Sequence, residues 1–268
     1  VSEIQERQLT TNGNNITALR VQGSFDDCQK MVKNAFVDKE LNNKFNLTSA
    51  NSINVARWLP QAFYYFYAIK KLKKNNLVFS VPSGNFGNIC AGLIAMKLGL
   101  PIDHFIASTN VNDTIPRYFK SQVISPKQTI QTISNAMDVS NPSNFVRIQE
   151  MFKNFKDLSS FLSSYSFNDD QTLKTVIKIY EDKKYIMDPH GAIGYLGLKK
   201  YLINNPKKTG VFLETAHPIK FSKHIENSIN VKLKIPQTIN KILSKKKTYI
   251  DIENYSDFKS KMLNMDFN

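Results

Sequence analysis

With 268 residues, 41% of them hydrophobic and 11% aromatic, the chain can bury one large core or two modest ones and is too apolar to be disordered throughout. Its longest apolar run, Trp58 to Ile69, is interrupted by Pro60, Gln61 and three tyrosines, which excludes a membrane-spanning helix. The net charge of +14 admits a nucleic-acid partner, but the lysines are scattered among Asn and Ile, and the denser groups at 70–74 and 245–247 sit where helices are expected to end, so neither nucleic acid nor membrane is the expected partner.

The chain opens on Val1, with no charged and then apolar leader behind it, and reads as a fragment or a processed product. Cys28 and Cys90 stand alone without a spacing motif, which suggests reduced packing thiols in a cytoplasmic protein. Residues 2–10 have the pattern of the end of a helix, stopped by Asn12-Gly13-Asn14-Asn15, and Ile16 to Val21 that of a short strand. Ser24 with Asp27 three residues on has capping-box form and predicts a helix from about Phe25 to Phe36. From Asn51-Ser52-Ile53-Asn54 a long helical pattern begins, with Val55, Trp58, Leu59, Ala62, Phe63, Phe66 and Ile69 on one broad face and Pro60 in its first turn or at a kink. Its polar front end and Arg57 are equally compatible with simple capping beside a surface arginine and with an anion site.

The stretch Leu77-Val78-Phe79-Ser80-Val81-Pro82-Ser83-Gly84-Asn85-Phe86-Gly87-Asn88 organises the rest. It has the order strand, tight loop, helix, the helix continuing through Leu98. Gly84 and Gly87 are expected to take positive φ and let the backbone approach a ligand, while the amides of Phe86, Gly87 and Asn88 point out of the helix mouth, where an anion such as a phosphate is favoured. No Lys-Ser/Thr follows the last glycine and the GxGxxG spacing is absent, so the loop names a phosphate and not its carrier. Further along come a strand at 103–108, a polar turn Thr109-Asn110-Val111-Asn112-Asp113 opening a short helix through Tyr118, a second polar turn at 134–138, and a helix from about Asn144. Helices at 169–181 and 191–202 and a strand at 211–213 complete the pattern. Alternating strands and helices imply an α/β domain with a largely parallel sheet, whose ligands bind outside the carboxyl ends of the strands.

Six segments taken together, residues 24–29, 48–54, 81–88, 107–113, 134–140 and 215–218, resemble threonine synthase of the long bacterial and fungal type, in that family's order. The resemblance implies fold type II, shared with tryptophan synthase β and incomplete here at the amino terminus. It divides the chain into the remainder of a small α/β domain at 1–47 and a large cofactor-binding domain at 48–268. It implies pyridoxal 5'-phosphate as cofactor and conversion of O-phospho-L-homoserine and water to L-threonine and phosphate. Carried over residue by residue, Gly84, Asn85, Phe86, Gly87 and Asn88 would cradle the cofactor phosphate and Thr215 would meet the pyridine nitrogen. Asn51, Ser52, Asn54 and Arg57 would line the substrate phosphate and carboxylate.

His217 has the setting of a structural residue packed in its Thr-Ala-His-Pro turn, and His190 that of a residue at a helix start, rather than of bases. The family's Schiff-base lysine has no counterpart. Phe155-Lys156-Asp157 copies its letters but follows the phosphate loop instead of preceding it, so the catalytic lysine is unknown and the chain alone is expected to be inactive. The alternatives are another lyase of the same fold, such as a serine or threonine dehydratase, and a non-catalytic basic binding module.

Overall fold

The computed structural model describes residues 2–13 and 15–265; the expected stop at 12–15 includes Asn14, which lies outside the described residues, as does Val1. In chain order the elements are α1 (Glu3–Thr10), β1 (Leu19–Val21), α2 (Phe25–Val37), α3 (Lys39–Lys44), α4 (Trp58–Leu72), β2 (Leu77–Pro82), α5 (Gly87–Lys97), β3 (His104–Thr109), α6 (Thr114–Ser121), α7 (Phe145–Glu150), α8 (Phe155–Phe161), β4 (Leu162–Ser166), α9 (Asp169–Lys183), α10 (Pro189–Asn204), β5 (Thr209–Phe212), α11 (Ser222–Ile229), α12 (Gln237–Leu243), β6 (Ile250–Ile252) and α13 (Tyr255–Asn264). Short 3₁₀ turns lie at Val55–Arg57, Asn135–Met137 and Pro218–Phe221. Helix α1 carries a capping box from Ser2 and Gln5. The Ser24–Asp27 box opens α2 as expected.

The chain forms two units, residues 1–48 with 233–268, and residues 49–232. The last 36 or so residues therefore do not extend the large domain as the expected 48–268 boundary had them. They belong with the first unit because β6 pairs in parallel with β1, Leu19 opposite Ile250, and because α13 packs on α2 and α3. Ion pairs reinforce this, Arg20 with Asp251 and Lys259 with Asp38 and Glu40. No sequence pattern in a three-residue strand announces so distant a partner.

The second unit is built on a four-stranded, all-parallel sheet in the order β4-β3-β2-β5. Both faces are covered, which is why β3 is buried along its whole length and β2 at all but Pro82, rather than on alternate residues. Leu77, Phe79, Val81, Phe105 and Ala107 join a core with α4, α5, α7 and α8, in which Tyr65 lies edge-on to Phe79 and Phe105. Removing one such buried ring, as in Phe79→Ala, costs about 3–5 kcal/mol. Val78 and Ile106 face α10 instead, together with Ser80, whose hydroxyl bonds the Gly194 carbonyl at 2.6 Å.

Two expectations are corrected. The face of α4 that is buried comprises Trp58, Ala62 and Tyr65, whereas Val55, Leu59, Phe63 and Phe66 are exposed. An all-round apolar helix does not betray which stripe meets the core. Strand β4 was not expected at all, since Leu-Ser-Ser-Tyr-Ser follows α8 without a turn and is poor in β-forming residues.

Candidate active site

The carboxyl ends of β2, β3 and β5 lie side by side, with Pro82 opposite Ser108 and Ser80 opposite Phe212. The loop 83–86 leaves β2 and enters α5 through Phe86, which takes a left-handed conformation (φ 62°) and offers no side-chain cap. The positive φ expected at Gly84 and Gly87 is thus found at the phenylalanine, an uncommon place for it, held there by packing of its ring on Phe145 at 5.7 Å. The glycines serve close approach instead. A Cβ on Gly84 would lie 2.8 Å from the Met137 Cα and 2.9 Å from the Ala136 carbonyl, and one on Gly87 would lie 2.6 Å from the Ser52 Cβ.

Among the described residues no acceptor takes the amide hydrogens of Phe86, Gly87 or Asn88. Three donors therefore stand free at the positive end of an eleven-residue helix. The side chains of the loop are turned the other way. Asn85 donates to Ser52 Oγ (3.0 Å) and accepts from the Ser143 amide (2.7 Å), and Asn88 accepts the Tyr65 hydroxyl at 2.6 Å. The loop's side chains thus hold its shape while its main chain faces outward.

Ser52, one of the expected substrate residues, is drawn into the same bracing: its hydroxyl receives Asn85 and Asn144 and is 3.1 Å from Asn51 Oδ1. Asn144 is fully buried and also donates to the Asn85 carbonyl at 2.8 Å. Asn54 caps the following 3₁₀ turn, accepting from the Ala56 amide and donating to the Ser49 carbonyl. Arg57 is exposed and its guanidinium has no partner among the described residues. Asn54 is therefore engaged as a cap while the Arg57 guanidinium is free among the described residues, an arrangement that both readings of the pattern, capping beside a surface arginine and an anion site, accommodate.

The turns at 109–113 and 134–138 brace each other. Asp138 receives Asn110, Asn112 and the hydroxyl and amide of Thr132, and burial, opposed by those Thr132 and Asn110 bonds, raises its carboxyl above the usual range. This network presses the Ala136–Met137 backbone onto Gly84, so two segments that carried the resemblance without a stated role form the floor of the loop.

Beyond β5, Thr215 is exposed with a free hydroxyl among the described residues. The preceding Glu214 accepts the Asp188 amide at 2.8 Å, and its carboxylate lies over Gly191 at the start of α10. Glu214 is exposed as a residue, but desolvation of its carboxylate against α10, opposed by the amide bond and aided by the nearby charge of Asp188, pushes it up to about 8. His190 is buried and its Nδ1 is 2.6 Å from Asp188 Oδ1. His217 accepts the Ile219 amide at the start of a 3₁₀ turn. Both histidines stand at helix starts. Lys156 is exposed on α8, away from the strand ends. Sequence reasoning missed Asn144, Arg147 and Glu214; the first two lie in the polar segment Asn-Pro-Ser-Asn-Phe-Val-Arg, which was noted only as the start of a helix.

Residues 1–214 match the family described as pyridoxal-phosphate dependent enzyme, and residues 191–261 match the carboxy-terminal region of threonine synthase. Threonine synthase of Haemophilus influenzae is 49% identical over 90% of this chain and 57% of its own length. The crystal structure of threonine synthase from Escherichia coli superposes with a TM-score of 0.93 at 40% identity, covering 98% of this chain and 62% of that one. The pyridoxal-phosphate-bound threonine synthase from Brucella melitensis does so with a TM-score of 0.84 at 31% identity, covering 98% and 62%. The chain thus spans about three fifths of the relatives it matches. The parallel α/β sheet and the open amides after β2 agree with these likenesses: the chain belongs to the pyridoxal-phosphate dependent enzymes of fold type II, and its resemblance among them is to threonine synthase.

Proposed function

We propose that this chain forms the phosphate-binding part of a threonine synthase, which converts O-phospho-L-homoserine and water to L-threonine and phosphate. The observation that carries the reading is the set of open amides at Phe86, Gly87 and Asn88 in a loop whose side chains are all engaged elsewhere. Such a cradle fits the phosphate monoester of pyridoxal phosphate, since backbone donors and a helix terminus suit an anion, and the close packing of Gly84 on residues 136–137 and of Gly87 on Ser52 fixes the loop that carries them. When bound, pyridoxal phosphate supplies the electron sink for removing carbon-bound protons.

The residues of this chain position what surrounds it. Thr215 offers an uncharged hydroxyl at the end of β5, suited to a pyridine nitrogen. Arg57 offers two parallel donors to a phosphate or carboxylate, and Ser52, bonded to Asn51 and Asn85, links residues 51–57 to the loop. The two cysteines are unpaired, and burial pushes Cys90 up to about 12, so both fit packing roles in a reducing compartment such as the cytoplasm.

The test joins this chain to the part of the Haemophilus influenzae relative that it does not span and follows phosphate release from O-phospho-homoserine. Turnover that disappears in Gly84→Asp supports the reading. A folded fusion that deaminates serine or threonine instead, or one unaffected by Gly84→Asp, overturns it.

A further inference from the structure

Arg147, in the first turn and a half of α7, is outside every site expected from the sequence, yet it gathers three acceptors. Its guanidinium donates to the Ile53 carbonyl (2.7 Å), the Asn144 Oδ1 (2.8 Å) and the Ser52 carbonyl (3.4 Å), and lies 5.1 Å from the centre of the Trp58 ring. Trp58 Nε1 donates to the same Ser52 carbonyl at 3.1 Å.

An arginine has donors and no acceptor, and together with the Asn85 carbonyl, which can only accept, it fixes the direction of the hydrogen bonds that follow. Asn144 must turn its oxygen to Arg147, so its Nδ2 faces the Asn85 carbonyl and Ser52 Oγ. Ser52 Oγ receives two N–H donors, one from Asn144 and one from Asn85, so its own proton points to the third neighbour, Asn51 Oδ1. Asn51 spends its oxygen on Ser52, which leaves its Nδ2 hydrogens for whatever occupies the space beyond. Reversing the buried Asn144 amide would set its Nδ2 against the Arg147 donors and its Oδ1 against the Asn85 carbonyl, leaving both ends unsatisfied.

We propose that Arg147 is a positioning residue: through Asn144 and Ser52 it sets the polarity of Asn51, so that this side chain presents donors to an anionic oxygen of the substrate. The inference rests on the reading that residues 51–57 meet the substrate's phosphate or carboxylate. Arg147 need not touch that anion. It keeps the Asn51 amide from turning its oxygen, which would repel it.

The experiment uses the fusion described above, with three variants and two readouts. Arg147→Met removes the donors; it should raise KM for O-phospho-homoserine at least tenfold while kcat stays within threefold. Arg147→Lys keeps donor-only chemistry and should hold KM within threefold of the parent. Asn51→Asp, at a partly exposed position that does not endanger folding, should raise KM by more than either. In the unfused chain, hydrogen exchange at the amides of residues 54–57 should quicken about tenfold in Arg147→Met, with those of β2 unchanged. An unchanged KM in Arg147→Met or in Asn51→Asp, or an Arg147→Lys variant as impaired as Arg147→Met, overturns the proposal. Absence of turnover in the parent fusion instead counts against the proposed function, and the exchange readout then still decides whether Arg147 holds the turn.

Discussion

The loop after β2 and the turn after β5 leave neighbouring strands of one sheet, yet they are held by different kinds of group. Around residues 83–88 the side chains that touch the loop are uncharged: Asn85, Asn88, Asn144, Ser52 and Tyr65 exchange hydrogen bonds of 2.6 to 3.1 Å, the floor is main chain, and the charged Arg147 and Asp138 stand one step behind them. Around residues 213–217 the bracing is ionisable, with Glu214 folded over the start of α10 beside Asp188 and His190. Uncharged side chains against the loop leave its open amides facing the ligand, which suits a doubly charged phosphate, and the bonds among them carry no titrating group. A carboxylate beside another carboxylate is sensitive to pH by construction. The comparison predicts that steric substitutions break the first region and that pH or charge substitutions break the second.

The largest effect is expected at Gly84. Its Cβ would meet backbone at 2.8 and 2.9 Å, and backbone braced by Asp138 has nowhere to go. Gly84→Ala should lower stability by about 1–3 kcal/mol through overpacking. It should also weaken binding of pyridoxal phosphate by about 10- to 100-fold, since each 1.4 kcal/mol lost at the loop is a factor of about ten. Titration calorimetry of the chain with pyridoxal phosphate, beside a urea unfolding curve, checks both.

Gly87→Ala comes next and sharpens the reason. Here the obstacle is the Ser52 side chain at 2.6 Å, which can be removed. Ser52→Gly should therefore recover part of the stability lost in Gly87→Ala, while it recovers nothing in Gly84→Ala. A double-mutant cycle by urea unfolding measures the coupling, expected at about 1 kcal/mol or more for residues in contact. Equal, additive losses in both pairs would show that the two glycines do not differ as described.

Why the loop was legible from its sequence and its bracing was not follows from the same residues. Five β-forming residues, a Pro/Ser/Gly/Asn loop and an apolar helix announce themselves locally, and so did the open amides. The assignment of positive φ failed because glycine answers two needs, conformational freedom and closeness, and only the structure shows that Phe86 takes the first while Gly84 and Gly87 serve the second. Asn144 and Arg147 act across more than fifty residues of sequence, on Ser52, Ile53 and Asn85, and no periodicity encodes such a pairing. The exposed Leu59–Phe63 face of α4, the serine-rich β4 and the return of residues 233–268 to the first unit were hidden likewise, because each depends on which surface happens to be covered.

The second region is tested through pH. The folded carboxyl of Glu214 is raised to about 8 from 4.5, so between those values the fold holds a proton that the unfolded chain has lost. Stability then falls as pH rises through this window and levels off above it. Asp188 and Tyr185 face it, and His190 bonds Asp188 from behind. Glu214→Gln keeps an acceptor for the Asp188 amide and should flatten the decline in urea midpoint between about pH 5 and about pH 9, with little change at the acid end. A decline of unchanged slope would remove Glu214 as its source.

The smallest effect separates the acid limb of the same curve from the site altogether. His104, at the start of β3, is buried against Tyr201, with Nδ1 3.1 Å from the Ser160 carbonyl and Nε2 2.7 Å from the Ser163 hydroxyl. The carbonyl can only accept, so Nδ1 carries the proton and Nε2 receives the serine. Burial, opposed by the Ser160 bond, pushes this imidazole down to about 4 from 6.5. The unfolded chain therefore binds a proton that the fold refuses, and stability is lost as pH falls through 6.5 toward 4, the reverse of the Glu214 limb. His104→Gln, which retains one donor and one acceptor, should blunt that acid loss while leaving pyridoxal phosphate affinity at neutral pH within about twofold, because the residue stands at the opposite end of β3 from the loop. If His104→Gln also weakened the cofactor, the neutral bracing of the phosphate loop would not be independent of the ionisable groups of the fold.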